Sequence, residues 1–344
     1  MPCFKEAGKK LADVIPGLSA FTFDPSLGTV FITSGTGLIG YRVALSLLEA
    51  GHTSVRVGVW YGDRQIGDDK SLAENVAEVL TEKGAEVVAF DWSDEASFKT
   101  ALHGVKTVFC TIPHMENWNV VFPSFLHCCK DAKIEHFVKI SFFGAGRVDS
   151  PYRQNVPFVK FHGTCDDILE QAVTDSRISY TILGASHLMA TPLLHQGRLL
   201  REEHKFITAS YGMGVNYISP NDVSDAAMVV LLDMKPHKNK TYNLSGPYPI
   251  TDRAVAKLLS EFYDTKIEHV PLGFHDYEKD VKERGLPEWL VRDSAALEKM
   301  KASGIDELAS SYTTDLEKLI GRKPETFREY ITKKSAMRPG LAFP

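Results

Sequence analysis

Short apolar runs and longer segments of mixed polarity alternate from residue 29 onward. TVFITS is followed by LIGYRVALSLLEAG, then SVRVGVW, SLAENVAEVLTEKG and AEVVAFD. The β-branched runs bounded by turn residues predict strands, and the segments with apolar residues at helical spacing predict helices. The pattern continues through ASFKTALHG, KTVFCTI, VVFPSFLHCCKDAK, HFVKISF, PFVKFHGTCDDILEQAV and ISYTILGAS. Strand and helix taken in turn predict an α/β chain with a doubly wound parallel sheet. Nearly continuous apolar strands are what such a sheet, covered on both faces, requires.

Past residue 185 the alternation loosens. Residues 186–216 have mixed polarity and no firm period, PNDVSDAAMVVLLD reads as a helix capped by Asn221 or Asp222, and KTYNLSG reads as a strand. The stretch from 251 is helical and charged, punctuated by Pro287 and Pro324. The expected division is an N-terminal extension (1–27), a core (28–185 and 217–250), a smaller, mostly helical lobe (186–216 and 251–335) and a C-terminal tail (336–344). No low-complexity linker separates core from lobe, so the two are expected to be interwoven.

Composition narrows the function classes. With 44% hydrophobic and 24% charged residues in 344, the chain can bury a sizeable core. A net charge of -5 and the lack of a basic run argue against a nucleic-acid partner. Cys3, Cys110, Cys128, Cys129 and Cys165 form an odd, sparse set without a CxxC pair, which points to a reducing compartment. The adjacent Cys128 and Cys129 lack ligand spacing, and no metal site is expected. No apolar run reaches the roughly 20 residues needed to span a bilayer. Asp13 and Asp24 among the early lysines fit neither a secretory signal nor a transit peptide, so a cytoplasmic location is expected, with an organellar one after processing left open.

The sharpest motif is GTGLIG at 35–40, a G-x-G-x-x-G between a buried strand and an amphipathic helix. Gly35 permits the tight turn, Gly37 lets backbone approach a pyrophosphate, and Gly40 lets helix pack on sheet. The loop Thr33, Ser34, Gly35, Thr36, Gly37, Leu38, Ile39 and Gly40 is therefore the expected phosphate cradle of a Rossmann-type dinucleotide site. The second strand ends at Trp60 without the carboxylate typical of an NAD site, and Arg64 stands where a 2′-phosphate would lie; NADP(H) is favoured over NAD(H), with Asp63 arguing the other way. Asp91 and Trp92 are placed at the adenine. Thr111, Ile112 and Pro113, at the end of the fourth strand, complete the expected cofactor wall.

The chain resembles the atypical short-chain dehydrogenases/reductases, and among them the NmrA-like family that includes NAD(P)H-dependent quinone reductases. The resemblance spans residues 28–335. It rests on TSGTGLIG, VVAFDWSDEASFKTALHGVKTVF, YTILGASHLMA, YISPNDVSDAAMVVLLD with KTYNLSGPYPIT, and on GLPEW and LIGRKPETFREYI. The superfamily's Tyr-x-x-x-Lys pair aligns with Phe158 and His162, so the usual proton donor is missing, and His162 becomes the expected substitute acid or ribose anchor. Ser141 falls near the superfamily's catalytic serine. Tyr152 and His187 are further proton-source candidates, and His187 and Met189 are placed on the substrate side. Two functions follow from the resemblance. One is a reductase moving hydride to a small quinone or conjugated carbonyl; the other is a dinucleotide-binding redox sensor that turns nothing over and acts on a protein partner. Monomer and homodimer stay equally open.

Overall fold

Val30, Phe31 and Ile32 of β1 (Thr29–Ile32) are fully buried, because helices cover both sides of the sheet they sit in. The computed structural model describes residues 27–59, 70–113, 115, 118–175, 178–308 and 311–333, together with Ile15. Six further strands join β1: β2 (Val55–Val59), β3 (Glu86–Ala89), β4 (Val105–Cys110), β5 (His136–Phe142), β6 (Ser179–Ala185) and β7 (Lys240–Leu244). All pair in parallel, in the order β7-β6-β5-β4-β1-β2-β3. The strand order reverses between β1 and β4, and open parallel sheets bind ligands at the carboxyl ends of the strands beside such a reversal.

Each face of the sheet has its own core. On one, Val43, Ala44 and Leu47 of the Leu38–Glu49 helix and the wholly buried Pro220–Leu232 helix pack over Val30, Ile32 and Val138. On the other, Phe31, Phe90, Phe98, Phe125 and Phe137 form an aromatic cluster that also takes in Cys110, Cys128 and Cys129. Its rings meet mostly edge to face, the geometry that ring quadrupoles favour.

A smaller lobe is built from residues that depart from and return to the sheet. Lys205–Thr208 pairs in parallel with Glu268–Pro271, and His187–Leu188 with Tyr217–Ile218. Its centre holds Leu200, Phe206, Tyr217, Leu259 and Tyr330. One segment departs from the expected division. The Asp315–Ile320 helix, placed by sequence in the lobe, puts Leu316, Leu319 and Ile320 into the core around Val30 and Val138. Arg322 then bridges Asp222 and Asp225 at 2.7 and 2.6 Å, pinning this return to the Pro220–Leu232 helix. An amphipathic period reveals that a helix has an apolar face, not which surface the face meets.

Candidate active site

The glycine loop leaves β1 at the reversal point. The Thr33 hydroxyl donates to Thr111 O at 2.9 Å and accepts from Thr111 N at 3.2 Å, while the Ser34 hydroxyl donates to the same carbonyl at 3.1 Å. These bonds lock the loop to the end of β4. A Cβ on Gly35 would stand 1.8 Å from Val57 Cγ1, and one on Gly40 2.1 Å from Ser34 O, so both positions demand glycine for packing. Gly37 differs: the nearest atom to its Cβ would be Ser34 O at 3.3 Å. It caps the Leu38–Glu49 helix without a side-chain bond, and the first turn holds no acidic residue. A helix N-terminus left open in this way suits a phosphate. Beside it, Thr111 Oγ1 is buried without a hydrogen-bond partner among the described residues. The residues present fit a dinucleotide.

Trp60 and Arg64 lie outside the described residues. Asp91 sits just past β3, where its carboxylate accepts from Ser93 N at 2.8 Å and from the Ser93 hydroxyl at 2.7 Å. Trp92 requires a correction: it is 1% exposed, its ring packed edge-on against Phe90, Trp118 and Phe125. It is a core residue and presents no face to an adenine.

On the other side of the reversal, a charged cluster is buried between β5 and the Pro157–Asp175 helix. Lys139 is 0% exposed; its Nζ donates to Asp166 Oδ1 at 2.7 Å and stands 3.4 Å from His162 Nδ1. The Ser141 hydroxyl donates to Asp166 Oδ2 at 2.5 Å. Burial pushes the Asp166 carboxyl above its ordinary range, against the pull of the Lys139 ammonium. Burial likewise raises the Cys165 thiol, to about 11, so this cysteine is no ready thiolate. Phe158, which the sequence resemblance aligns with a tyrosine, packs edge-on against Phe142. Lys139 and Asp166 escaped the sequence reading, although a lysine inside the buried strand HFVKISF was a visible signal.

A second polar cluster joins core to lobe. The Tyr152 hydroxyl donates to Asp306 Oδ1 at 2.8 Å and lies 2.9 Å from His187 Nε2, which is 3.2 Å from Asp306 Oδ2. Asn216 N donates to the same oxygen at 3.2 Å. Burial alone would raise Asp306, but His187, Tyr152 and the Asn216 amide outweigh it and hold the carboxyl below its usual range. Burial, then the Asp306 charge, raises Tyr152 well above an ordinary phenol. Its proton is committed to Asp306, so Tyr152 holds His187 in place and is a poor proton source. Met189 also moves from its expected role: it is buried among Phe206 and Tyr217 in the lobe's core.

One cavity of about 370 Å³ runs between these clusters. Its core-side wall includes Thr111, Ile112, Pro113, Ser141 and His162, and His187 stands at the passage to the lobe. Neither Tyr152 nor Met189 lines it. The lining is largely apolar, with Phe142, Phe158, Phe161, Leu188 and Leu297 prominent. The lobe closes it with one face of the Glu288–Ala302 helix, where Glu298 and Lys301 are both buried and joined at 2.7 Å. Sequence reading missed this pair, since in LEKMK nothing marks which charges turn inward.

The model of the NmrA-like family matches residues 27–331. The uncharacterized oxidoreductase YesF of Bacillus subtilis (strain 168) is 26% identical over 311 residues, covering 89% of this chain and 95% of its own. Among solved structures, an NADPH-dependent quinone oxidoreductase from Escherichia coli, complexed with NADPH, aligns with a TM-score of 0.70 at 21% identity, covering 88% of this chain and 99% of that one. Citrobacter sp. triphenylmethane reductase complexed with NADP(H) aligns with a TM-score of 0.68 at 23% identity, covering 89% and 99%.

Proposed function

The chain belongs to the NmrA-like family, and from that premise we propose that it is an NAD(P)H-dependent oxidoreductase passing hydride to a small, flat, conjugated acceptor, a quinone or conjugated carbonyl. One observation carries the reading: a single, mostly apolar cavity joins the wall formed by Thr111, Ile112, Pro113, Ser141 and His162 to the lobe. A cofactor lying along the glycine loop and an acceptor lying in the lobe would share that space without intervening chain.

When bound, NAD(P)H supplies the hydride; the protein supplies orientation and exclusion of water. Gly35 to Gly40 and the open helix turn would hold the pyrophosphate, and Thr111 Oγ1 has an unfilled hydrogen bond to offer. The proposed NADP(H) preference rests on Arg64 and on a second strand that ends at Trp60 without a carboxylate, with Asp63 arguing the other way. Apolar walls such as Phe142 and Phe158 suit a planar ring. A quinone needs little help with protons, since water can protonate its reduced oxygens, and this tolerates phenylalanine at position 158. His162 lines the cavity and is the residue to give a proton or anchor the ribose.

The same phenylalanine favours the second reading, a dinucleotide-binding sensor, because a chain relieved of turnover has no use for the tyrosine. Purified protein given NADPH, then NADH, with a panel of quinones and enones separates the two. The reductase consumes cofactor above the uncatalysed rate with at least one acceptor. A sensor binds cofactor, reduces none of them, and differs in protease sensitivity across 186–216 between NADP+ and NADPH.

A further inference from the structure

The lobe wall of the cavity is unusual for a buried helix face. Leu290, Asp293, Ser294, Leu297, Glu298 and Lys301 of the Glu288–Ala302 helix all line it, at the spacing that stacks residues on one side of a helix. A face turned away from water is ordinarily apolar, and here its inner end carries a buried carboxylate and a buried ammonium. Burying an ion pair seldom adds stability over a well-packed apolar one, so its presence calls for another reason.

The hydrogen-bond inventory of the pair is incomplete. A lysine ammonium has three donors and no acceptor. Among the described residues Lys301 finds one hydrogen-bond acceptor, Glu298 Oε1, with the Tyr217 ring 5.8 Å from its nitrogen. Glu298 uses its other oxygen to receive Ala209 N at 2.7 Å, which keeps spare lone pairs on both. Burial would discharge Lys301, but Glu298, Asp252 and Asp306 hold it charged above its ordinary range. The wall therefore presents unfilled N–H groups beside unfilled carboxylate lone pairs. A hydroxyl accepts from the first and donates to the second.

We propose that Glu298 and Lys301 form a specificity subsite for a hydroxyl carried by the acceptor, so that the preferred substrates are hydroxylated aromatic quinones or enones. The proposal rests on the reductase reading and names its substrate class. A carboxylate would satisfy Lys301 but meet Glu298 as a like charge, and an ether would leave Glu298 unfilled. Sites that hydrogen-bond a substrate hydroxyl discriminate strongly against analogues lacking it, because their buried polar groups are then stranded.

The test uses quinone pairs that differ only in carrying a hydroxyl, a methoxy or a carboxylate on the ring remote from the reducible carbonyls. The wild-type protein should favour the hydroxyl member in kcat/KM by roughly tenfold or more. Glu298→Gln/Lys301→Met keeps an acceptor for Ala209 N and removes both charges of the pair together, leaving the net charge unchanged; in it the hydroxyl-to-methoxy ratio should fall toward unity. Equal ratios in both proteins, or a carboxylate preference, overturn the subsite. Should no quinone be reduced, the reductase reading fails on its own. Calorimetric binding of the same compounds to NADPH-loaded protein then decides the subsite, by the same hydroxyl preference and its loss in the double variant.

Discussion

Lys139 Nζ lies 3.4 Å from His162 Nδ1. Because an ammonium can only donate, Nδ1 must accept, and a neutral His162 then carries its proton on Nε2. His162 stands on the Pro157–Asp175 helix, and a lysine reaches it from β5. Asp166 holds that lysine and Ser141 together.

The buried Lys139–Asp166 pair should therefore respond asymmetrically to substitution. Lys139→Met strands a buried carboxylate and should cost about 3–5 kcal/mol of stability. Adding Asp166→Asn should recover most of that loss. Urea denaturation of the three proteins measures it; a loss left unchanged in the double variant would assign the cost to packing around Lys139.

The three motif glycines should separate by consequence. Gly35→Ala and Gly40→Ala drive a Cβ into Val57 and the Ser34 carbonyl and should lower stability. Gly37→Val has φ -77° and ψ 167°, which valine accepts. It should fold normally yet lose NADPH affinity by roughly tenfold or more, as its side chain fills the phosphate's space. Thermal denaturation and calorimetry on the same samples distinguish the two effects.

Asp306 sets a pH dependence. Its folded carboxyl is held below the ordinary value of 3.8, so the folded state binds fewer protons than the unfolded. The stability it contributes is complete above that value and is lost as pH falls through the folded one. The stability difference between wild type and Asp306→Asn should shrink as pH falls below about 4. A difference that grows on acidification contradicts the assignment.

The proposed NADP(H) preference rests on Arg64. Arg64→Ala should weaken NADPH by about 1.5–3 kcal/mol and leave NADH nearly unchanged, since only one carries a 2′-phosphate. Equal losses for both would give Arg64 a folding role.

The layered sheet and the tight glycine turn after its first strand were legible because their signals are local: β-branched runs, helical periods, and glycines at fixed spacing. Trp92 was misplaced for a physical reason. An aromatic residue just past a strand end can cover a ligand or close a core, and only the packing of Phe90, Trp118 and Phe125 decides. Asp306, Glu298 and Lys301 were invisible because Tyr152, Ala209 and Tyr217, which they meet in the fold, lie far away along the chain and nothing local marks which charges turn inward. Lys139 was readable in principle, as the one charge in a strand of otherwise apolar and small residues beyond His136.

The proposed reductase passes a hydride from NAD(P)H directly to an acceptor in the shared cavity. Single-turnover mixing of protein loaded with NADPH, deuterated in turn on each face of the transferring carbon, against an excess quinone tests it most directly. Cofactor oxidation should be faster than in protein-free solution, with a primary isotope effect from one face only. Oxidation no faster than without protein, or an isotope effect independent of the labelled face, would contradict it.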